Sequence, residues 1–171
     1  MTLLRIRAGY ARLLEFIVFL LMAALAIEVI IGVVYRSIGE SLVWYDEVAS
    51  ILLCWLTYYG AALAAHKRAH IGFSGLVDAL PPAFRISAVV FAEICVLGFF
   101  GLLAYVGWSI MDVLATDYLV SLPDISVKYV QSVIPIGAVL FIIAEVLNLP
   151  QVLAEARNPT VVREPLPEIN P

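Results

Sequence analysis

Four long apolar runs, at about 13–35, 44–65, 86–108 and 127–149, constrain this chain more than anything else in it. Each is long enough to cross a bilayer as a helix, which takes roughly 20 predominantly apolar residues. With 63% hydrophobic residues in a chain of 171, no room is left for a soluble catalytic domain. The expected fold is an all-α integral membrane protein with four transmembrane helices, a membrane domain over 1–157 and a disordered tail over 158–171. The tail reading rests on four prolines and alternating charge.

The N-terminus resembles a signal peptide, with Arg5, Arg7 and Arg12 ahead of an apolar run and Ala24-Leu25-Ala26 as a cleavage-like triplet. That run continues past Ala26 to Tyr35, which fits a retained span. Lys and Arg are distributed unevenly about the spans. Arg5, Arg7, Arg12, Lys67, Arg68, Arg85, Arg157 and Arg163 fall on one side, against Arg36 and Lys128 on the other. The positive-inside rule therefore predicts that both termini are cytoplasmic. The opposite face is acidic, through Glu40, Asp46, Glu47, Asp112, Asp117 and Asp124. Nothing in the charge pattern points to nucleic acid.

Between the second and third spans, Phe73, Leu76, Val77, Leu80 and Phe84 recur at helical spacing. This spacing fits a short amphipathic helix in the cytoplasmic interface, ended by Pro81-Pro82, with an ordinary loop as the alternative. Lys67, Arg68, His70, Phe73, Leu76 and Leu80 are the membrane-interface candidates there, and Trp108 is the candidate at the outer interface. The outer connection from Met111 to Ser126 is too short and broken to span, and is expected to fold onto the outer surface.

Few residues are placed for chemistry. Glu15 and Glu145 lie near span ends, whereas Glu28 and Glu93 lie deeper, where a charge costs about 2.5–3.5 kcal/mol on insertion scales. Either these two are protonated, or they bond to groups in the bundle or on a partner. Ala24, Glu28 and Gly32 share one helix face, and small residues let another helix approach closely. They are read as subunit contacts, with a proton or cation site as the alternative. Trp55 lies mid-span, so its indole N–H is expected to find an acceptor. Pro135 interrupts the fourth span, giving a kink or a freed carbonyl that a neighbour can use. His66 and His70 have i, i+4 spacing but lack a further ligand nearby, so a wet interfacial loop is favoured over a metal site. Cys54 and Cys95 are read as free thiols packed as small hydrophobes. No cofactor motif is recognisable.

The ordered set Trp44-Tyr45-Asp46-Glu47-Val48-Ala49, Trp55, Gly60-Ala61-Ala62, Lys67-Arg68-Ala69-His70-Ile71, Leu80-Pro81, Leu122-Pro123, Tyr129 and Ile134-Pro135-Ile136-Gly137 resembles the DctQ-like small membrane subunit of tripartite ATP-independent periplasmic (TRAP) transporters. The resemblance covers almost the whole chain. It implies a large multi-span membrane subunit that carries the substrate and sodium sites, a periplasmic binding protein that captures an organic acid, and a bacterial or archaeal inner membrane. The small subunit then enlarges the static scaffold of an elevator-type mover. By the same resemblance, Arg36, Trp44, Asp46 and Glu47 are outer-face docking or structural residues. Trp55, Gly60, Ala61 and Ala64 are candidates for packing against the large subunit. The alternative is an autonomous proton-coupled transporter that uses Glu28 or Glu93.

Overall fold

A computed structural model describes residues 2–69 and 81–157. The expected interfacial helix, with His70, Phe73, Leu76 and Leu80, and the expected disordered tail lie outside the described residues. The elements are α1 (Thr2–Ser37), α2 (Tyr45–His66), α3 (Pro82–Ser109), α4 (Met111–Leu114), α5 (Val127–Gln131) and α6 (Val133–Arg157). The fold is all-helical, and four segments are long and apolar enough to cross a membrane, with α5 and α6 together making the fourth.

The helices overrun the apolar runs. At 1.5 Å rise per residue, the 36 residues of α1 extend about 54 Å, against a hydrocarbon core of about 30 Å. Backbone hydrogen bonding does not stop where apolarity stops, so the Arg-bearing first turns continue the same helix. At the other end of the chain α6 runs to Arg157 despite Pro150. Pro82 opens α3 at its first turn, where a missing N–H costs nothing.

α1 packs on α2, α2 on α6, and α6 on α3. The described helices thus form an open row, α1–α2–α6–α3, with α1 and α3 at the edges. A row is permissible in lipid because an apolar helix surface needs no burial there. Phe16, Phe19 and Ile30 on α1, and Phe91, Phe99 and Leu102 on α3, all face outward.

The centre of the row is closed by small residues. Ala62 and Ala65 of α2 meet Phe141 and Ala144 of α6, joined by Leu14 from α1. Phe100 of α3 stacks flat on Phe141, with centroids 3.7 Å apart. α2 and α6 come closest at Gly137, where a Cβ would lie 2.8 Å from Tyr58 Cβ. Cys54 and Cys95 are free but exposed, so they are surface groups of α2 and α3 and not the packed thiols expected. The reason is the row itself, which leaves every helix in it, α2 and the edge helix α3 alike, with uncovered faces.

Candidate functional site

The most connected polar group lies where the N-terminal part of α1, the C-terminal end of α2 and the C-terminal half of α6 meet. Its centre is Asn148, fully buried in an otherwise apolar stretch of α6. Its Nδ2 donates to the carbonyls of Ala65 and His66 at 2.9 and 3.0 Å. These belong to the last turn of α2, whose carbonyls have no partner further along the helix. Its Oδ1 accepts from Arg7 Nη2 at 2.7 Å, and the same nitrogen donates to Gln151 at 3.1 Å. His66 Nε2 lies 3.1 Å from the Arg7 carbonyl, so that nitrogen carries the proton. Tyr10 packs edge-on to His66 and donates its hydroxyl to the Leu140 carbonyl at 2.6 Å. One buried amide and four neighbours, Arg7, Tyr10, His66 and Gln151, thus fasten three helices together.

Two ion pairs flank this junction. Lys67, just past α2, lies 2.7 Å from Glu15 of α1. Arg68 Nη1 lies 2.6 Å from both carboxylate oxygens of Glu155 on α6. Arg68 has φ +54°, the left-handed position that usually belongs to glycine after a helix. Its N–H bonds the Ala65 carbonyl at 3.0 Å, and Ala69 N–H bonds the Ala64 carbonyl at 2.9 Å, the paired pattern of a Schellman end. This turn directs the guanidinium toward Glu155. Lys67 and Arg68, expected at the membrane interface, therefore tie α2 to both of its neighbours.

At the opposite end of the row, Glu47 in the first turn of α2 reaches the connection between α4 and α5. It accepts from Val120 N–H at 3.2 Å, from Ser121 N–H at 2.8 Å, and from the Ser121 hydroxyl. That connection is a small hairpin, bridged between Tyr118 and Ser126. Ser126 caps α5, accepting from Lys128 N–H at 3.3 Å, and donates to the Leu114 carbonyl at 3.2 Å. Trp44 precedes α2 and is half-buried, while Asp46 and Arg36 are exposed.

In mid-membrane, the indole N–H of Trp55 donates to the Val130 carbonyl at 2.9 Å. The fourth span breaks at Ser132, between α5 and α6, three residues before Pro135. The expected acceptor for Trp55 is thus the Val130 carbonyl, one residue before Gln131, whose carbonyl is the one Pro135 deprives of an i−4 donor. Of the expected subunit contacts, Gly32 lies under the Tyr45 ring of the same chain, where a Cβ would approach within 2.0 Å of ring carbon. Glu28 is 8% exposed and its Oε1 has no partner among the described residues. Ala24 is exposed, and Ala61 and Ala64 are half-buried. A Cβ on Gly60 would meet nothing within 4 Å, so this position is an open notch on α2.

Sequence reasoning missed Asn148, Arg7, Tyr10 and Gln151. A signal existed for Asn148, an uncharged amide inside Leu147-Asn148-Leu149, where a polar side chain must find partners. Among the described residues no cluster of three His, Cys, Asp or Glu is placed to hold a metal ion. Among the described residues these polar groups join elements to one another.

The model of the family described as tripartite ATP-independent periplasmic transporters, DctQ component, matches residues 25–155. This chain belongs to that family. It is also similar to the sialic acid TRAP transporter small permease protein SiaQ of Vibrio cholerae serotype O1, with 27% identity over 119 residues, 68% of each chain. Membership makes the chain a small subunit of a TRAP transporter in the inner membrane, and implies in general a large membrane subunit and a binding protein as partners. The DctQ match spans the α2 and α6 sides of the Asn148 junction, while Arg7, Tyr10 and Leu14 precede it.

Proposed function

We propose that this chain is the scaffold subunit of a sodium-coupled, binding-protein-dependent importer of organic acids. It holds the fixed framework of a large, elevator-type subunit in the bilayer and helps to receive the periplasmic binding protein. The carrying observation is the row of helices fastened at both ends. Asn148, Lys67 and Arg68 join α1, α2 and α6 at the inner end, and Glu47 ties the outer hairpin to α2. A framework against which another body moves must resist shear, and multi-point polar ties do this where lipid supplies no hydrophobic driving force.

The lack of a central cation supports the same reading. An organic acid crossing along this chain would need a positive group or helix N-termini near the midplane. Here the described Lys and Arg residues lie toward the helix ends. The relative named for sialic acid supports a carboxylate as the cargo of the complex. The uneven Lys and Arg distribution supports cytoplasmic termini, which puts the Glu47-bound hairpin and Arg36, Trp44 and Asp46 on the periplasmic side. Trp55, Gly60, Ala61, Ala64 and the face bearing Ala24 and Glu28 are the proposed positions for contact with the large subunit, while Gly32 is already covered by Tyr45 of the same chain.

A second reading, an autonomous proton-coupled carrier, is favoured by one observation: Glu28 and Glu93 each have a buried carboxylate oxygen without a partner among the described residues. Reconstitution separates the two. Liposomes holding the large subunit, given binding protein and a sodium gradient, are expected to accumulate organic acid only when this chain is present. Proton-driven uptake by this chain alone, abolished by Glu28→Gln or Glu93→Gln, would overturn the scaffold reading.

A further inference from the structure

The first turns of α1 carry three arginines, and the junction at Asn148 uses one of them. Arg7 is turned inward to Asn148 and Gln151. Arg5 and Arg12 are exposed, and neither makes a hydrogen bond or ion pair among the described residues. The nearest carboxylate in the sequence, Glu15, is closed by Lys67 at 2.7 Å, with Arg12 a weaker influence on it.

Arg5 and Arg12 share a face. Counting from Arg5, the positions i+3, i+4, i+7, i+11 and i+14 are Ala8, Gly9, Arg12, Phe16 and Phe19, a single stripe on a helix of 3.6 residues per turn. α1 is one continuous helix over this stretch, so the register holds. All six residues are exposed, Phe16 by 60% and Phe19 by 61%. A Cβ on Gly9 would meet nothing within 4 Å among the described residues. Ala8 and Gly9 therefore leave a shallow notch between the two arginines.

The order of the stripe follows the order of groups in a bilayer leaflet. The apolar run begins at Leu13, directly after Arg12. Arg5 lies about 10 Å outboard of Arg12 at helical rise, and Phe16 and Phe19 lie about 6 and 10 Å inboard of it. Arginine stems are long enough for both guanidinium groups to converge on one group at headgroup depth. No acidic residue precedes Glu15, so the stripe carries two positive charges and nothing to accept a headgroup amine. A net anionic headgroup fits this face and a zwitterionic one does not.

We propose that this face of α1 binds one anionic phospholipid of the phosphatidylglycerol class, with its phosphate between Arg5 and Arg12 over Gly9 and an acyl chain along Phe16 and Phe19. A protein helix laid on the same face would have to bring carboxylates to the edge of the hydrocarbon at Arg12, where the leaflet already supplies phosphate. The site does not depend on the scaffold role. Only its assignment to the cytoplasmic leaflet rests on the orientation proposed above.

Native mass spectrometry tests this on the full chain, purified in mild detergent with any partner that accompanies it and titrated with phosphatidylglycerol or phosphatidylethanolamine. One phosphatidylglycerol is expected to bind more tightly than phosphatidylethanolamine. Arg5→Gln and Arg12→Gln, both exposed changes that spare the fold, are each expected to weaken its binding about fivefold, and together about 25-fold. Gly9→Leu keeps the charge and favours the helix, and should weaken binding by filling the notch. Arg36→Gln, at the opposite end of α1, should leave it unchanged. Equal affinity for the two lipids, or no loss in the double variant, would overturn the proposal. Binding unchanged in Gly9→Leu would overturn the seat between the arginines. A loss in Arg36→Gln as large as in Arg12→Gln would show attraction to charge at large and no site. Cross-linking of Gly9→Cys to a protein partner in native membranes would show the face covered by protein, which also contradicts the proposal.

Discussion

Replacing Asn148 by leucine removes a side chain of similar size that makes three hydrogen bonds at a fully buried position. Two are donated to the Ala65 and His66 carbonyls, and one is accepted from Arg7. Interhelical hydrogen bonds in membrane proteins average about 0.6 kcal/mol, with a maximum near 1.7, so three sum to about 2 kcal/mol. The structure argues against a much larger figure. The Ala65 carbonyl keeps the Arg68 N–H at 3.0 Å, and Arg7 keeps Gln151 at 3.1 Å. The sharper variant is Asn148→Asp. It preserves shape and gives Arg7 a full negative charge to pair with. However, it places an acceptor against two carbonyls that now each receive a hydrogen bond from the Asn148 NH2 group. If the donor end of the amide is what matters, Asn148→Asp is at least as destabilising as Asn148→Leu. Unfolding of the purified chain in mixed micelles, followed by far-ultraviolet circular dichroism, measures both. An Asn148→Asp variant as stable as the parent would refute the junction as described, because the gain at Arg7 would then outweigh the loss at α2.

Other perturbations separate close packing from polar ties. Gly137→Ala should cost about 1–3 kcal/mol in the same unfolding assay and exceed Gly32→Ala, because Tyr58 Cβ is fixed to its backbone whereas the Tyr45 ring can swing aside. Arg68→Gly should be more stable than Arg68→Ala by about 1 kcal/mol, since both lose Glu155 but only glycine relieves the left-handed backbone. Glu47→Ala should accelerate exchange of the Val120 and Ser121 amides, read by hydrogen–deuterium exchange, by about fivefold, the equivalent of about 1 kcal/mol per lost hydrogen bond. Glu28→Leu should be tolerated by the chain alone, because a buried oxygen without a partner gains from apolar replacement, and should weaken recovery of the subunit complex.

The spans were legible because lipid imposes a length and a composition on any helix that crosses it, and α1, α2, α3 and the α5–α6 pair follow the apolar runs. The ends were less legible, since α1 and α6 continue through charged and proline-containing sequence where hydropathy carries no signal. Trp55 was readable as a donor in search of an acceptor, but 75 residues separate it from Val130, whose carbonyl it reaches. The junction at Asn148 was hidden for a similar reason. Arg7 reads as one basic residue among several, and only tertiary structure brings it to an amide 141 positions away. Small-residue spacing showed where helices are able to approach, not which helix does so: Gly32 is taken up by Tyr45 of the same chain, while Gly60 stays open. The order of weakly specific motifs along the chain, by contrast, was enough to point to the DctQ family.

The central claim is that this chain works as part of a larger membrane assembly. Affinity purification from native membranes in mild detergent, with mass spectrometry of the proteins that accompany it, tests that most directly. The account predicts a stoichiometric, much larger multi-span protein in the preparation. A clean preparation of this chain alone, which transports when placed in liposomes, would contradict it.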